Sequence, residues 1–268
     1  NGGGDRSVTT SFGGANAYRP GCKIRMTNCT ITGNRVEVGS GGGEFYSDDC
    51  TSELTQCTIR SNTASRNGGG QSFDASCSIT AARTSYYGNI AGGDGGGLYV
   101  WYDCDVDINN ATFDRNQATG VYGAGGGFYG GGTWDDMLGD WYNGSTLNVR
   151  NSSFSNNQAV FGGGLYWYGR SADVDIYNLV IENNIAQSGG GMYWSRGAPV
   201  IDKCSIRGNK ATGAQYTVMV PAPPVDINDP TTWPDPSTWP DPNDPNSMVD
   251  PNNPWTPPQV PELHDNKS

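Results

Sequence analysis

Seven times along this chain an apolar or aromatic residue is followed three positions later by asparagine, and this repeat limits the possible folds more than any other feature. The pairs are Ile31/Asn34, Ile59/Asn62, Tyr86/Asn89, Phe113/Asn116, Phe154/Asn157, Ile181/Asn184 and Ile206/Asn209. Successive anchors stand 28, 27, 27, 41, 27 and 25 residues apart. A triple glycine follows each of the first six, starting at Gly41, Gly68, Gly95, Gly125, Gly162 and Gly189. The long step carries one insertion, roughly residues 130–142. A fixed period of this length marks an architecture in which each unit packs on its neighbours.

Inside each unit apolar residues alternate with polar ones, as in Asp105-Val106-Asp107-Ile108 and Asp173-Val174-Asp175-Ile176. That is the period of a half-buried strand; no segment has the three-and-four spacing of a helix. A unit of about 27 residues built from short strands is too small for a propeller blade and lacks the helix of a leucine-rich repeat. The expected fold is therefore all-β, a right-handed parallel β-helix of about seven coils over residues 1–216. At about 4.8 Å per coil the rod is on the order of 34 Å long. Stacking superposes equivalent residues, so the asparagines are expected to form an amide ladder and the glycines a tight corner.

The Phe/Ile-x-x-Asn and Gly-Gly-Gly-Φ-Tyr unit, over roughly residues 10–215, resembles the short repeats of polymorphic outer-membrane proteins and related surface β-helix proteins. The resemblance implies a right-handed parallel β-helix displayed outside the cell, often adhesive. Within these residues no autotransporter barrel follows, and the third glycine stands where those repeats usually carry alanine.

Composition narrows the functional classes. The net charge is −11 with no basic cluster, which argues against nucleic acid or an anionic membrane surface as partner. No apolar run approaches the length of a membrane span. The chain opens at Asn1, as expected of a processed or fragmentary mature chain. The single histidine, His264, leaves no basis for histidine-dependent nucleophilic chemistry or metal binding in the repeats. Parallel β-helices can carry polysaccharide lyase or hydrolase sites built from clustered carboxylates. Here Asp103, Asp105 and Asp107 are separated from Asp173 and Asp175 by a coil bearing Thr146 and Asn148, and Asp135, Asp136 and Asp140 fall on the insertion. The expectation is no enzyme and no metal or cofactor. Aromatics after the glycines, such as Tyr99, Trp101, Tyr129, Tyr166, Trp167, Tyr193 and Trp194, should form an external stripe of stacked rings as well as part of the core.

Seven cysteines fall in two columns. Cys22, Cys50, Cys77 and Cys104 lie nine residues before their anchors; Cys29, Cys57 and Cys204 lie two before theirs. Adjacent coils bring column-mates within the Cα range of a disulfide, so Cys22–Cys50, Cys77–Cys104 and Cys29–Cys57 are candidate bridges in an oxidising compartment. Cys204 is then a buried thiol or a link between subunits, reaching Cys29 of a neighbour. Glycosylation sequons occur at Asn28, Asn110, Asn143, Asn151 and Asn266; Asn28, Asn110 and Asn151 share one column that should face outward.

From residue 217 composition changes, and fourteen prolines fall between Pro221 and Pro261. Residues 217–268 should form an extended arm, with Trp233, Trp239 and Trp255 as anchors needing pockets elsewhere. With neither end of the helix capped, the leading expectation is a subunit of a secreted, glycosylated extracellular filament. Its partner is another copy of itself joined head to tail, with the arm across the junction. The runner-up is a cell-surface adhesin or carbohydrate-binding β-helix whose partners are glycans. A polysaccharide lyase or hydrolase stands third.

Overall fold

The computed structural model describes residues 12–135, 140–142, 144–168, 174–195 and 199–213. The chain divides into Asn1–Gln215 and Tyr216–Ser268, and the second unit lies outside the described residues. The first unit is a parallel β-helix of about seven coils, and no helix occurs among the described residues.

Three seven-stranded parallel sheets run the length of the coil stack. The first contains the strands after the triple glycines, from Asn16–Tyr18 to Met192–Ser195. The second contains the longest strands, from Lys23–Thr27 to Val200–Asp202. The third contains the anchors, from Thr30–Thr32 to Ser205–Arg207. A shorter fourth sheet begins with Arg35–Val36, Thr63–Ala64, Ile90–Ala91 and Gln117–Ala118. The insertion forms an antiparallel pair, Thr133–Asp135 with Asp140–Tyr142.

Among the described residues a coil turns four corners, each holding a residue with positive φ. One is the first glycine of the triplet, as at Gly68 and Gly95. The other three are filled largely by non-glycine residues: the column of Asn28, Gln56, Arg83, Asn110, Asn151, Asn178 and Lys203; that of Ser61, Arg115, Asn156 and Asn183; and that of Asp49, Ser76 and Asp103. Asparagine and aspartate tolerate this left-handed region best, which fits their abundance there. The second glycine serves a different purpose. A Cβ on Gly96 would lie 2.4 Å from the Gly126 carbonyl oxygen, so only glycine lets the coils approach at this corner.

Inside, equivalent residues sit on one another in register. Ile31, Ile59, Tyr86, Phe113, Phe154, Ile181 and Ile206 form one column. Its rings stack nearly parallel, Tyr86 on Phe113 at 4.5 Å and Phe113 on Phe154 at 4.6 Å. The amide ladder is continuous from Asn34 to Asn209. Asn89 donates its backbone N–H (3.0 Å) and its side-chain Nδ2 (2.9 Å) to Asn116 Oδ1, and Asn116 repeats both bonds to Asn157 Oδ1. Each Nδ2 also bonds a carbonyl of the preceding coil, as from Asn116 to Tyr86. The ladder thus satisfies corner backbone groups that no strand pairing reaches.

Asn116→Ala should therefore orphan buried groups on two neighbouring coils at about 1–3 kcal/mol each. Asn209→Ala, on the last coil, should cost less than half as much. Urea unfolding of the two variants measures the difference; equal losses would contradict a load shared along the ladder.

Candidate functional site

The outer face of the first sheet carries the expected external stripe. Tyr99, Tyr129, Tyr166 and Tyr193 stack at centroid distances of 4.9, 5.2 and 5.2 Å, with ring planes within 11° of parallel. Their alternates point inward, where Tyr46 stacks on Phe73 and Trp167 on Trp194. Gly130 occupies the same inward column, and a Cβ there would meet the Trp167 ring at 2.3 Å. Beside the outer stripe stand two carboxylates that sequence reasoning overlooked. Burial pushes the carboxyls of Asp94 and Asp74 up to about 6, with the Asp48 charge adding to the effect at Asp74. Asp94 Oδ1 accepts the Ala124 N–H at 2.9 Å, and Asn67 Oδ1 accepts the Asp94 N–H at 3.1 Å. These side chains tie corner backbone groups between coils, as the asparagine ladder does.

A second acidic group lies within the core. Glu44 is fully buried and accepts four hydrogen bonds: from Asn16 and Tyr18 on Oε1 (3.1 Å each), and from Tyr46 (2.9 Å) and Gln71 (2.7 Å) on Oε2. Gln71 Oε1 in turn accepts the Tyr86 hydroxyl at 2.7 Å. Burial and the Glu44 charge raise the Tyr18, Tyr46 and Tyr86 hydroxyls above their usual range, so these donors keep their protons. A carboxylate with four donors and no exposed surface acts as a clamp between the first coils rather than as an acid or base. The signal for it was present in the sequence: Asn16, Glu44 and Gln71 occupy a column that becomes Leu98, Phe128 and Leu165.

None of the candidate cysteine bridges is formed in the structure. All seven, Cys22, Cys29, Cys50, Cys57, Cys77, Cys104 and Cys204, are free thiols in the structure. Directly stacked residues in a parallel sheet hold their Cβ atoms near the strand spacing of about 4.8 Å, beyond the usual disulfide range of about 3.5–4.5 Å. Instead each inward column bonds backbone. The thiols of Cys50, Cys77 and Cys104 donate to the carbonyls of Arg19, Ser47 and Asp74, each at 3.2 Å. Cys104 Sγ also accepts the Cys77 N–H, and Ser145, next in the same column, accepts the Cys104 N–H at 3.0 Å. In the other column Ser152 does the same for Ala111, and Cys204 for Leu179. Serine standing in for cysteine at the same bond identifies the role of the column. Burial raises the Cys50 and Cys57 thiols; at Cys77 the neighbouring Cys104 adds the larger share.

Asn28, Asn110 and Asn151 are exposed at one positive-φ corner, and Asn151 donates to Asn109 while accepting from Asn178. Asn143, Asn266, Trp233, Trp239 and Trp255 lie outside the described residues, as do Asp136 and Asp173. Asp103, Asp105 and Asp107 are exposed and Asp175 is half-buried. Asp105 accepts from Thr146 (2.8 Å) and Asp175 pairs with Arg150 (2.7 Å). Among the described residues no group of three metal-ligating side chains comes together.

The two ends differ from the middle. In coil seven Ile206 is 51 % exposed and Ile201 44 %, although their column-mates Ile181 and Ile176 are fully buried. Lys203, Arg207 and Lys210 rim this end, and Lys23, Arg25 and Arg35 rim the other. No family model matches the chain, and neither does any curated protein or solved structure.

Two measurements probe these columns. Without reductant, the unfolded chain should titrate seven thiols, and Cys77→Ser should stay within about 1 kcal/mol of the parent while Cys77→Val loses more; fewer than seven thiols would restore the bridges. For Asp94, the folded carboxyl lies above its unfolded value of 3.8, so its stabilising protonated form is fully present below about pH 4 and lost as pH rises through 6. That difference amounts to at most about 3 kcal/mol. Asp94→Asn keeps the acceptor for Ala124 and should flatten this part of the stability profile, raising stability at pH 7. An unchanged pH dependence in urea melts would rule Asp94 out.

Proposed function

We propose that the chain is a structural β-helix subunit that joins head to tail with copies of itself, forming a glycosylated extracellular filament. The observation that carries this reading is the exposure of Ile201 and Ile206 in the last coil, in columns that are buried through coils two to six. Continuing the register across a junction places Ile31 of the next copy on Ile206, Met26 on Ile201 and Asn34 on Asn209, so the core and the amide ladder run on without a break. Unpaired strand edges of this kind template further pairing. The two ends are different surfaces, and such a contact propagates rather than closing a dimer.

Charge supports a part for the arm. At the ends Arg25, Arg35 and Arg207 pair with Glu53, Glu37 and Glu182. That leaves Lys203 and Lys210 on one end coil and Lys23 on the other without a carboxylate partner among the described residues, and these repel when the coils are brought together. Residues 217–268 hold eight carboxylates against one lysine, and this acidic segment complements the junction when it reaches a neighbouring subunit. The exposed sequons Asn110 and Asn151 lie on coils four and five, away from both end coils, where glycans would not obstruct end-to-end contact. Adhesion through the tyrosine stripe is less well supported, because stacked rings spend their faces on one another and leave only edges for a sugar.

Electron microscopy and sedimentation of the full chain test the reading. The parent chain should form rods many subunits long, and Ile206→Lys, which changes a residue already half exposed, should remain monomeric with an unaltered circular dichroism spectrum. A monomeric parent at high concentration would end the proposal, as would filaments from Ile206→Lys.

A further inference from the structure

The path from anchor to first glycine varies in length between coils, and the variation carves a groove. From Phe113 to Gly125 it takes twelve positions, but from Phe154 to Gly162 and from Ile181 to Gly189 only eight. The surplus in coil four makes the loop 119–123, closed by a Gly123 N–H to Gly120 carbonyl bond (2.9 Å). Its Gly123 carbonyl accepts the Val160 N–H at 2.7 Å, and its Val121 and Tyr122 are strongly exposed. Coils five and six cut the same corner short, and regular pairing of the fourth sheet gives way to single bridges, Gln117 to Gln158 and Gln158 to Ile185.

The step leaves a cavity of about 360 Å³ lined chiefly by Gln117, Thr119, Gln158, Val160, Ile185 and Gln187, and no residue lining it is charged. Among the described residues, the side-chain amides of Gln117, Gln158 and Gln187 have no hydrogen-bond partner in the protein, in contrast to every asparagine of the ladder. Gln117, Gln158 and Ile185 occupy successive coils in register, so their side chains repeat at about the strand spacing of 4.8 Å. That repeat is close to the length of one pyranose unit. An amide both donates and accepts, as a sugar hydroxyl does, and Ile185 with Val160 offers an apolar patch for a sugar face.

We propose that this groove binds a neutral glycan strand laid along the coil axis, with hydroxyls on the three glutamine amides and a ring face on Ile185. The absence of any lining charge disfavours an acidic polymer, which would forfeit its counter-charge on entering. The site is separate from the tyrosine stripe.

Calorimetric titration on the Ile206→Lys chain separates this proposal from the filament reading. The probes are cellohexaose, mannohexaose and laminarihexaose, with a polygalacturonate hexamer as acidic control. At least one neutral hexamer should bind, Gln117→Ala/Gln158→Ala should weaken it at least tenfold, and Tyr193→Ala on the outer stripe should leave it unchanged. The proposal fails if no neutral hexamer binds at millimolar concentration, if the acidic control binds tightest, or if the double variant binds like the parent. A loss on Tyr193→Ala alone would move the site to the tyrosine stripe and equally overturn it.

Discussion

The structure depends on one requirement: every group at a corner must find its hydrogen-bond partner on the coil above or below. Strand pairing meets that requirement along the four sheets but not at the bends between them. There the chain adds side-chain partners to the backbone bonds between coils, and it uses the same kind in coil after coil. Asparagine bridges one corner, cysteine or serine two others, and the Asn67–Asp94 column a fourth. The bare glycine corner follows from the same rule, since coils held at strand spacing leave no room for a Cβ beneath a carbonyl. The hydrophobic columns fill whatever volume this scaffold encloses.

This explains which parts could be read from the sequence. The β-helix, its register and the asparagine ladder were legible because stacking forces one residue type to recur at one spacing. The external tyrosines followed from alternation. The other three corners were hidden, because asparagine, serine, arginine, glutamine, lysine and glycine all occupy positive φ there and no single letter holds a whole column. Cysteine could be read in two ways. Its recurrence suggested bridges, whereas Ser145 and Ser152 in the same columns already indicated hydrogen bonding. Glu44 left a fainter trace, a run of three polar residues heading a column that later turns apolar, and its four donors come from coils that only the fold brings together.

The functional reading rests on where the repetition stops. In the middle of the stack nearly every inward residue is covered and nearly every corner group is bonded, so little is left to recognise anything. The departures are local: an open last coil with apolar columns uncovered, and a step between coils four and five where amides go unpaired. The first suits a protein surface that continues the same pattern. The second suits a flexible, uncharged, hydroxyl-rich chain.

The grading of the interior has a mechanical consequence. At the start of the stack the first sheet turns Asn16, Glu44 and Gln71 inward beside Tyr18, Tyr46 and Phe73; further on, the column of Glu44 holds Leu98, Phe128 and Leu165. Polar clamps depend on alignment and lose most of their worth once one partner moves, whereas buried rings resist separation through area alone. Pulled from both ends, such a rod should peel from its end coils one turn at a time while the apolar middle coils stay wound. A solenoid whose turns contact only their neighbours can yield in this stepwise way, extending under load and rewinding when the load is removed.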